Sequence, residues 1–244
     1  MKIPILYEDR DVVVINKPAG IVVHPDGKTK AKTLVDWILK EYPKAKKVGE
    51  PMLLDDGTEI LRPGIVHRID YNTTGCLIIA KNQKAYEFLK EQFKERKVHK
   101  VYQAFVYGDV KDERGMIDRK IGRSPNDFRK WTAQRGARGE LREAVTYYKV
   151  LAKKDDITLI EAIPKTGRTH QIRVHFTAIN HPVLQDDLYA TKFNLEKKNQ
   201  LGFKRLALHA RELVINVPSG KEIDVIAPYP EDFEEAIRKI KKPL

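Results

Sequence analysis

Ile65-Val66-His67-Arg68-Ile69-Asp70-Tyr71-Asn72-Thr73-Thr74-Gly75-Cys76-Leu77-Ile78-Ile79-Ala80-Lys81 is the stretch around which the chain is organised. Its second half, Gly75 to Ala80, is a short apolar run, the pattern of a buried strand. Ahead of it, Asp70 to Gly75 gathers Asp, Asn and Gly, whose side chains or φ freedom support tight turns. The pattern puts Asp70 on a loop leading into a core strand, where a rigid scaffold can hold a working carboxylate. His67 and Arg68 lie just before it. Taken alone, the three polar residues also fit an ordinary turn with one exposed ion pair, which is common and weak.

The wider composition narrows the field. A chain of 244 residues, 41% hydrophobic, can bury a sizeable core as one large domain or two small ones. It carries 46 basic against 34 acidic residues, a net charge of +12. Such an excess favours a polyanionic partner, because neutralising phosphates releases counterions. Charge alone does not separate RNA from DNA or an anionic membrane surface. One cysteine, Cys76, excludes an intrachain disulfide and argues against a cysteine-based zinc site; its apolar setting suits a small core residue. The N-terminus reaches Glu8-Asp9-Arg10-Asp11 too soon for a signal peptide, and no apolar run is long enough to span a bilayer. A soluble cytoplasmic protein is the expectation.

Read in order, Ile3 to Tyr7 and Val12 to Asn16 are strands, and Thr33 caps a helix from Leu34 to about Tyr42. Residues 43 to 61 form a polar surface excursion. A second helix fits Gln83 to Arg96, with Ala85, Phe88, Leu89 and Phe93 on its apolar stripe. Val101 to Tyr107 is a strand. Residues 111 to 143 are charged, with Phe128 and Trp131 among many arginines and lysines, including Arg129 and Lys130. That stretch can grip RNA by phosphate contact and base stacking, or be a hairpin with a solvated face. Ala144 to Ala152 and Thr158 to Ile163 pair around Lys154-Asp155-Asp156. Thr169 caps a helix to Ile179; Arg205 to Val217 pairs with Glu222 to Ile226 around Pro218-Ser219-Gly220. Pro230 opens a last helix whose acids precede Arg238, Lys239, Lys241 and Lys242, as the helix dipole favours.

Several segments together resemble the RluA-type RNA pseudouridine synthases. The opening stretch is similar to that family's H-R-L-D-x-x-T-S-G-L-L-L-x-A-K signature. Asn16-Lys17-Pro18-Ala19-Gly20-Ile21-Val22-Val23-His24-Pro25 resembles N-K-P-x-G-x-x-V-H-P, and Lys100 to Gly108 resembles K-x-Y-x-A-x-V-x-G. Thr166 to His175 is similar to T-G-R-T-H-Q-I-R-V-H at every position, and Leu208-His209-Ala210 matches a late L-H-A. The departures are Thr74 for Ser, Cys76 for Leu, and Gln185-Asp186-Asp187-Leu188-Tyr189-Ala190 for G-D-x-x-Y-G, which lacks the glycines of that turn.

The resemblance implies an α+β fold, a central mixed and mostly antiparallel sheet with flanking helices and a cleft. It implies one catalytic domain over residues 1–244, without the separate N-terminal RNA-binding module of many relatives. It assigns the catalytic carboxylate to Asp70, a tyrosine lying against the flipped uracil to Tyr102, and the arginine paired with the carboxylate to Arg173. Arg68 corresponds to the residue filling the space the base vacates; Arg168, His67, Lys100, Arg129 and Lys130 are further RNA-contact candidates. The isomerisation exchanges no electrons and adds no group, so neither cofactor nor metal is expected. Ribosomal RNA of the large subunit and transfer RNA are the expected partners, met by a monomer. Two other classes fit less well. A metal hydrolase on His67, His170, His175 and Asp70 fits poorly, because His170 and His175 are five apart on a helix where paired ligands prefer four. A noncatalytic RNA-binding protein on the same fold would have no need of Asp70, Tyr102 and Arg173 together.

Overall fold

The computed structural model describes residues 1–24, 32–53, 57–196 and 201–241; Pro25 and Lys242, used in the sequence reading, lie outside them. The chain begins with β1 (Ile5–Glu8), β2 (Val12–Lys17), α1 (Leu34–Glu41), a 3₁₀ turn (Pro43–Lys47), β3 (Met52–Leu53), β4 (Glu59–Ile60), β5 (Thr74–Ala80) and α2 (Gln83–Lys94). It continues through β6 (His99–Tyr107), β7 (Arg114–Asp118), β8 (Ile121–Arg123), β9 (Trp131–Thr132), β10 (Arg138–Arg142), β11 (Val145–Lys154) and β12 (Ile157–Pro164). It ends with α3 (Gln171–Ala178), α4 (Lys192–Glu196), β13 (Leu208–Asn216), β14 (Glu222–Ile226) and α5 (Glu231–Lys241). These elements form two compact units, Met1–His99 with Ala210–Pro228 and Lys100–His209 with Tyr229–Leu244. The mixture of sheet and separate helices is α+β, and every strand register described is antiparallel.

In the first unit β5 pairs with β2, Val12 opposite Ala80 and Asn16 opposite Cys76, and β2 pairs with β1. On its other side β5 neighbours β13, which carries β14. Every residue of β5 is buried, as its unbroken apolar run requires. Gly75 is obligatory: φ is +111°, and a Cβ there would sit 2.1 Å from the Ala210 carbonyl oxygen. Asp36 reaches back to accept hydrogen bonds from the Thr33 amide (2.6 Å) and hydroxyl (3.0 Å), fixing the start of α1. The face of α2 differs from the expected stripe. Ala85, Tyr86, Leu89 and Gln92 are buried, while Phe88 is 39% exposed. Gln92 is drawn inward because its amide donates to the Asn216 carbonyl (2.9 Å) and accepts from the Asn216 N–H (3.1 Å) at the end of β13. Cys76 is a buried core residue, its thiol pushed up to about 12 by burial.

The second unit contains the antiparallel order β6-β12-β11-β7. The β11–β12 hairpin closes with Lys154 opposite Ile157, and Asp155 and Asp156 have φ of 51° and 61°. Two successive positive φ values define the tight turn that matches strand twist, and aspartate tolerates them better than most residues. Phe105, Phe203 and Phe233 meet pairwise at centroid distances of 5.1 to 5.4 Å in the core, with Phe233, Ala236 and Ile240 forming the buried face of α5. The basic insert is a three-stranded sheet, β10-β8-β9, in place of the simple hairpin considered above. Thr169 does not cap α3: His170, in the left-handed region at φ 56°, precedes it, and the helix starts at Gln171. Among the described residues no helix is long and apolar enough to cross a membrane.

Candidate active site

Asp70 opens a β-turn in which the Thr73 N–H donates to the Asp70 carbonyl (3.1 Å). The approach to this turn is stitched to β5. Ile65 bridges Ile79, and the Ile78 N–H donates to Nε2 of His67 (3.0 Å), whose ring stacks on Phe93 at 4.6 Å. His67, an RNA-contact candidate by sequence, thus holds the loop to the strand. On the other side lies Lys17, fully buried, whose ammonium donates to the carbonyls of Pro18 (2.9 Å), Ile21 (3.0 Å) and Tyr71 (3.1 Å). The Gly20 N–H donates to the same Tyr71 oxygen (3.0 Å). A buried charge this well satisfied is a structural clamp on the residue next to Asp70. Lys17→Met is expected to lower stability by about 1–3 kcal/mol, since the carbonyls lose their donor while the desolvation cost of the ammonium is recovered; urea unfolding measures it. Arg68, exposed, donates from Nη1 to Nε2 of His24 (3.2 Å), which must therefore be unprotonated.

The second unit holds Tyr102 and Arg173. Arg173 is buried on α3 and binds Asp186 with two bonds, Nε to Oδ2 and Nη2 to Oδ1, both 2.7 Å. Asp186, with no exposed surface, also accepts from the amides of Leu188 and Tyr189 at 3.1 Å each. The guanidinium lies 5.0 Å from the Tyr189 ring centroid. Planar fork, carboxylate and ring fix Arg173 in one orientation. Asp186 received no role from the sequence, although an aspartate two and three residues before the amides it accepts from is a local signal of that turn. Gln185, where the family motif has glycine, has φ of 55°, a left-handed conformation held here by a residue with a side chain. Tyr102, half-buried on β6 opposite Ala162, packs against the unit's core. Burial lowers the pKa of the neighbouring Lys100.

The start of α3 is tied to β11 by a directional network. Gln171 accepts through Oε1 from the Thr166 hydroxyl (2.6 Å) and the Arg168 N–H (3.0 Å). It donates through Nε2 to the Val145 carbonyl and the Thr146 hydroxyl, both 3.0 Å. His175 Nε2 faces the Arg119 carbonyl (3.0 Å), which can only accept, so Nε2 carries the proton and Nδ1 accepts from Thr146 (2.9 Å). Burial depresses the His175 pKa below its ordinary 6.5. The unfolded chain therefore takes up a proton that the folded one resists, and stability is full above that value and falls as the pH drops through it. Urea midpoints are expected to be lower at pH 5.5 than at pH 7.5, with a smaller difference in His175→Asn.

The remaining candidates are placed as follows. Arg168 donates from Nε to the Glu143 carbonyl (3.0 Å). Arg129 grips Asp127 with Nε to Oδ1 (3.0 Å) and Nη2 to Oδ2 (2.8 Å), and that contact holds the Asp127 carboxyl down at about 2. Lys130 lines a cleft beside Trp131 and Tyr189. His170 and His175 face different partners, the Tyr189 hydroxyl and Thr146, and no cluster of three potential metal ligands occurs among the described residues.

This architecture, with an anchored carboxylate loop in one unit and a clamped arginine in the other, goes with a family match. Residues 11–178 match the family model described as RNA pseudouridylate synthase. The chain belongs to that family and is an isomerase that converts uridine in RNA to pseudouridine, as the likeness to RluA-type enzymes implied. It is 37% identical over 243 residues to the uncharacterized RNA pseudouridine synthase YlyB of Bacillus subtilis, covering 99% of this chain and 74% of that one. It is 38% identical over 233 residues to the ribosomal large subunit pseudouridine synthase D of Zymomonas mobilis, covering 94% of this chain and 70% of that one. Among solved structures, human RNA pseudouridylate synthase domain containing 4 superposes with a TM-score of 0.73 at 27% identity, covering 99% of this chain and 94% of that one.

Proposed function

We propose that the enzyme acts on large-subunit ribosomal RNA, with transfer RNA as a second substrate class, and that Asp70 is its catalytic carboxylate. Similarity to ribosomal large subunit pseudouridine synthases D, over 94 to 98% of this chain and 66 to 70% of theirs, carries the choice of RNA. The reaction breaks the N1–C1′ bond, turns the uracil, joins C5 to C1′, and moves the C5 proton off the ring while N1 gains one. The uridine must leave its stack to react. Asp70 then acts at the ribose or the base as nucleophile or general base, and each route needs it ionised. Arg173 is the cation assigned to that carboxylate, and its fork is held by Asp186 so that it does not drift with the substrate.

Tyr102 offers an aromatic face on which the uracil turns, and its phenol serves proton handling at C5. Arg68 enters the space left by the flipped base, exchanging His24 for the stack. Lys100, Arg129 and Arg168 take the RNA backbone, and Lys130 meets the RNA from the cleft beside Trp131; for Arg129 the phosphate replaces Asp127, a change that exposed ion pairs permit at little cost. The two units work as one catalytic domain, a cytoplasmic monomer without cofactor or metal. The test is to incubate unmodified large-subunit ribosomal RNA and transfer RNA transcripts with the enzyme and map pseudouridine by carbodiimide adducts that stop primer extension. Stops at discrete uridines in ribosomal RNA are expected; discrete stops in transfer RNA alone would reassign the substrate.

A further inference from the structure

A cleft of about 170 Å³ opens in the second unit between the three-stranded sheet and α3. Its lining mixes the apolar side chains of Val174, Ala178 and Leu188 with Lys130, Trp131 and Gln134 and with four hydroxyl-bearing residues. Among the described residues the Lys130 ammonium, the Trp131 indole N–H and the Gln134 amide make no hydrogen bond or ion pair, and no carboxylate lines the cleft. The walls are preformed. The Arg123 guanidinium stacks on the Trp131 ring at 4.2 Å, and the Tyr189 hydroxyl both accepts from the Trp131 backbone N–H (3.0 Å) and meets Nδ1 of His170 (2.8 Å).

Uncommitted donors beside apolar side chains call for a ligand with a flat body and acceptor atoms at its edge. Lone cations are disfavoured by the lysine and the missing carboxylates, and a free phosphate would leave the apolar side chains unused. A nucleobase satisfies both, and the volume suits one base but not a base pair. Tyr189 is also the ring beneath Arg173, so the cleft and the clamped arginine share a wall. From this juxtaposition we infer that the cleft is a subsite for one unstacked nucleotide of the RNA, a near neighbour in the strand of the uridine that reacts. The inference rests on the proposed role of Arg173 and adds a position at which the enzyme reads its substrate.

Trp131 reports on this site, because the chain has two tryptophans and Trp37→Phe leaves it as the sole one. In that background the probes are single-stranded RNA pentamers of each base and an abasic ribose-phosphate pentamer of equal charge. At least one base-bearing pentamer is expected to change Trp131 emission saturably and to bind about tenfold or more tighter than the abasic one, the scale of one base contact. Lys130→Ala with Gln134→Ala is expected to remove that base dependence. Equal affinity for the abasic pentamer, or base dependence that survives in the double variant, overturns the subsite. Pseudouridine formation on ribosomal RNA, measured alongside, separates the two readings: turnover without base dependence removes only the subsite, whereas no turnover on that RNA counts against the proposed substrate.

Discussion

Asp70→Asn is expected to lower turnover by about 10³-fold or more while changing RNA affinity by less than about threefold. The substitution exchanges one carboxylate oxygen for an amide and leaves the side chain's size unchanged. The turn also has backbone bonds that do not involve that oxygen. Its backbone is fixed by the Thr73 N–H on the Asp70 carbonyl and by Lys17 and Gly20 on the Tyr71 carbonyl, and the segment before it is tied to β5 through His67. An amide in that place is a poor nucleophile and no base, so chemistry stops where binding continues. Single-turnover assays with saturating enzyme, set beside filter binding of the same RNA, separate the two. A proportionate loss of both would mean that Asp70 is a structural or binding residue.

Asp186→Ala carries the next largest effect, a loss of about 3–5 kcal/mol of stability, because the buried Arg173 guanidinium loses both of its short bonds to a carboxylate. Asp186→Asn distinguishes architecture from chemistry. Its remaining oxygen still accepts from the Leu188 and Tyr189 amides, while the charge that orients and balances Arg173 is gone. In that variant kcat is expected to fall by about 10- to 100-fold with KM nearly unchanged, as for a residue that acts through a catalytic partner. Asp186→Glu, which keeps the charge but lengthens the arm, is expected to recover part of kcat. Equal loss in Asn and Glu variants would point to packing alone.

Much of this was legible in the sequence, for identifiable reasons. The apolar run of β5 and the Asp155-Asp156 turn are local signals, in which a few consecutive residues determine the conformation. The Asn16-Lys17-Pro18 resemblance singled out Lys17, whose three carbonyl bonds are a structural clamp. What the sequence left hidden depends on partners far along the chain. Gln92 turns inward through a bond 124 residues away, displacing Phe88 from the buried face of α2. Asp186 looks like one of two adjacent loop acids until the fold sets it against Arg173, and nothing in its neighbours foretells complete burial. The first turn of α3 shows the same limit: Gln171 has long-range partners in Val145 and Thr146, and these, not a threonine cap, determine where the helix begins.

The central claim, uridine isomerisation by Asp70, is tested most directly by tritium release from ribosomal RNA labelled at uridine C5, with chelator present. Wild type is expected to release one tritium for each pseudouridine formed, and Asp70→Asn none above background. Release by Asp70→Asn at the wild-type rate would contradict the assignment of the carboxylate, and chelator-sensitive release would contradict a reaction carried by the protein's side chains alone.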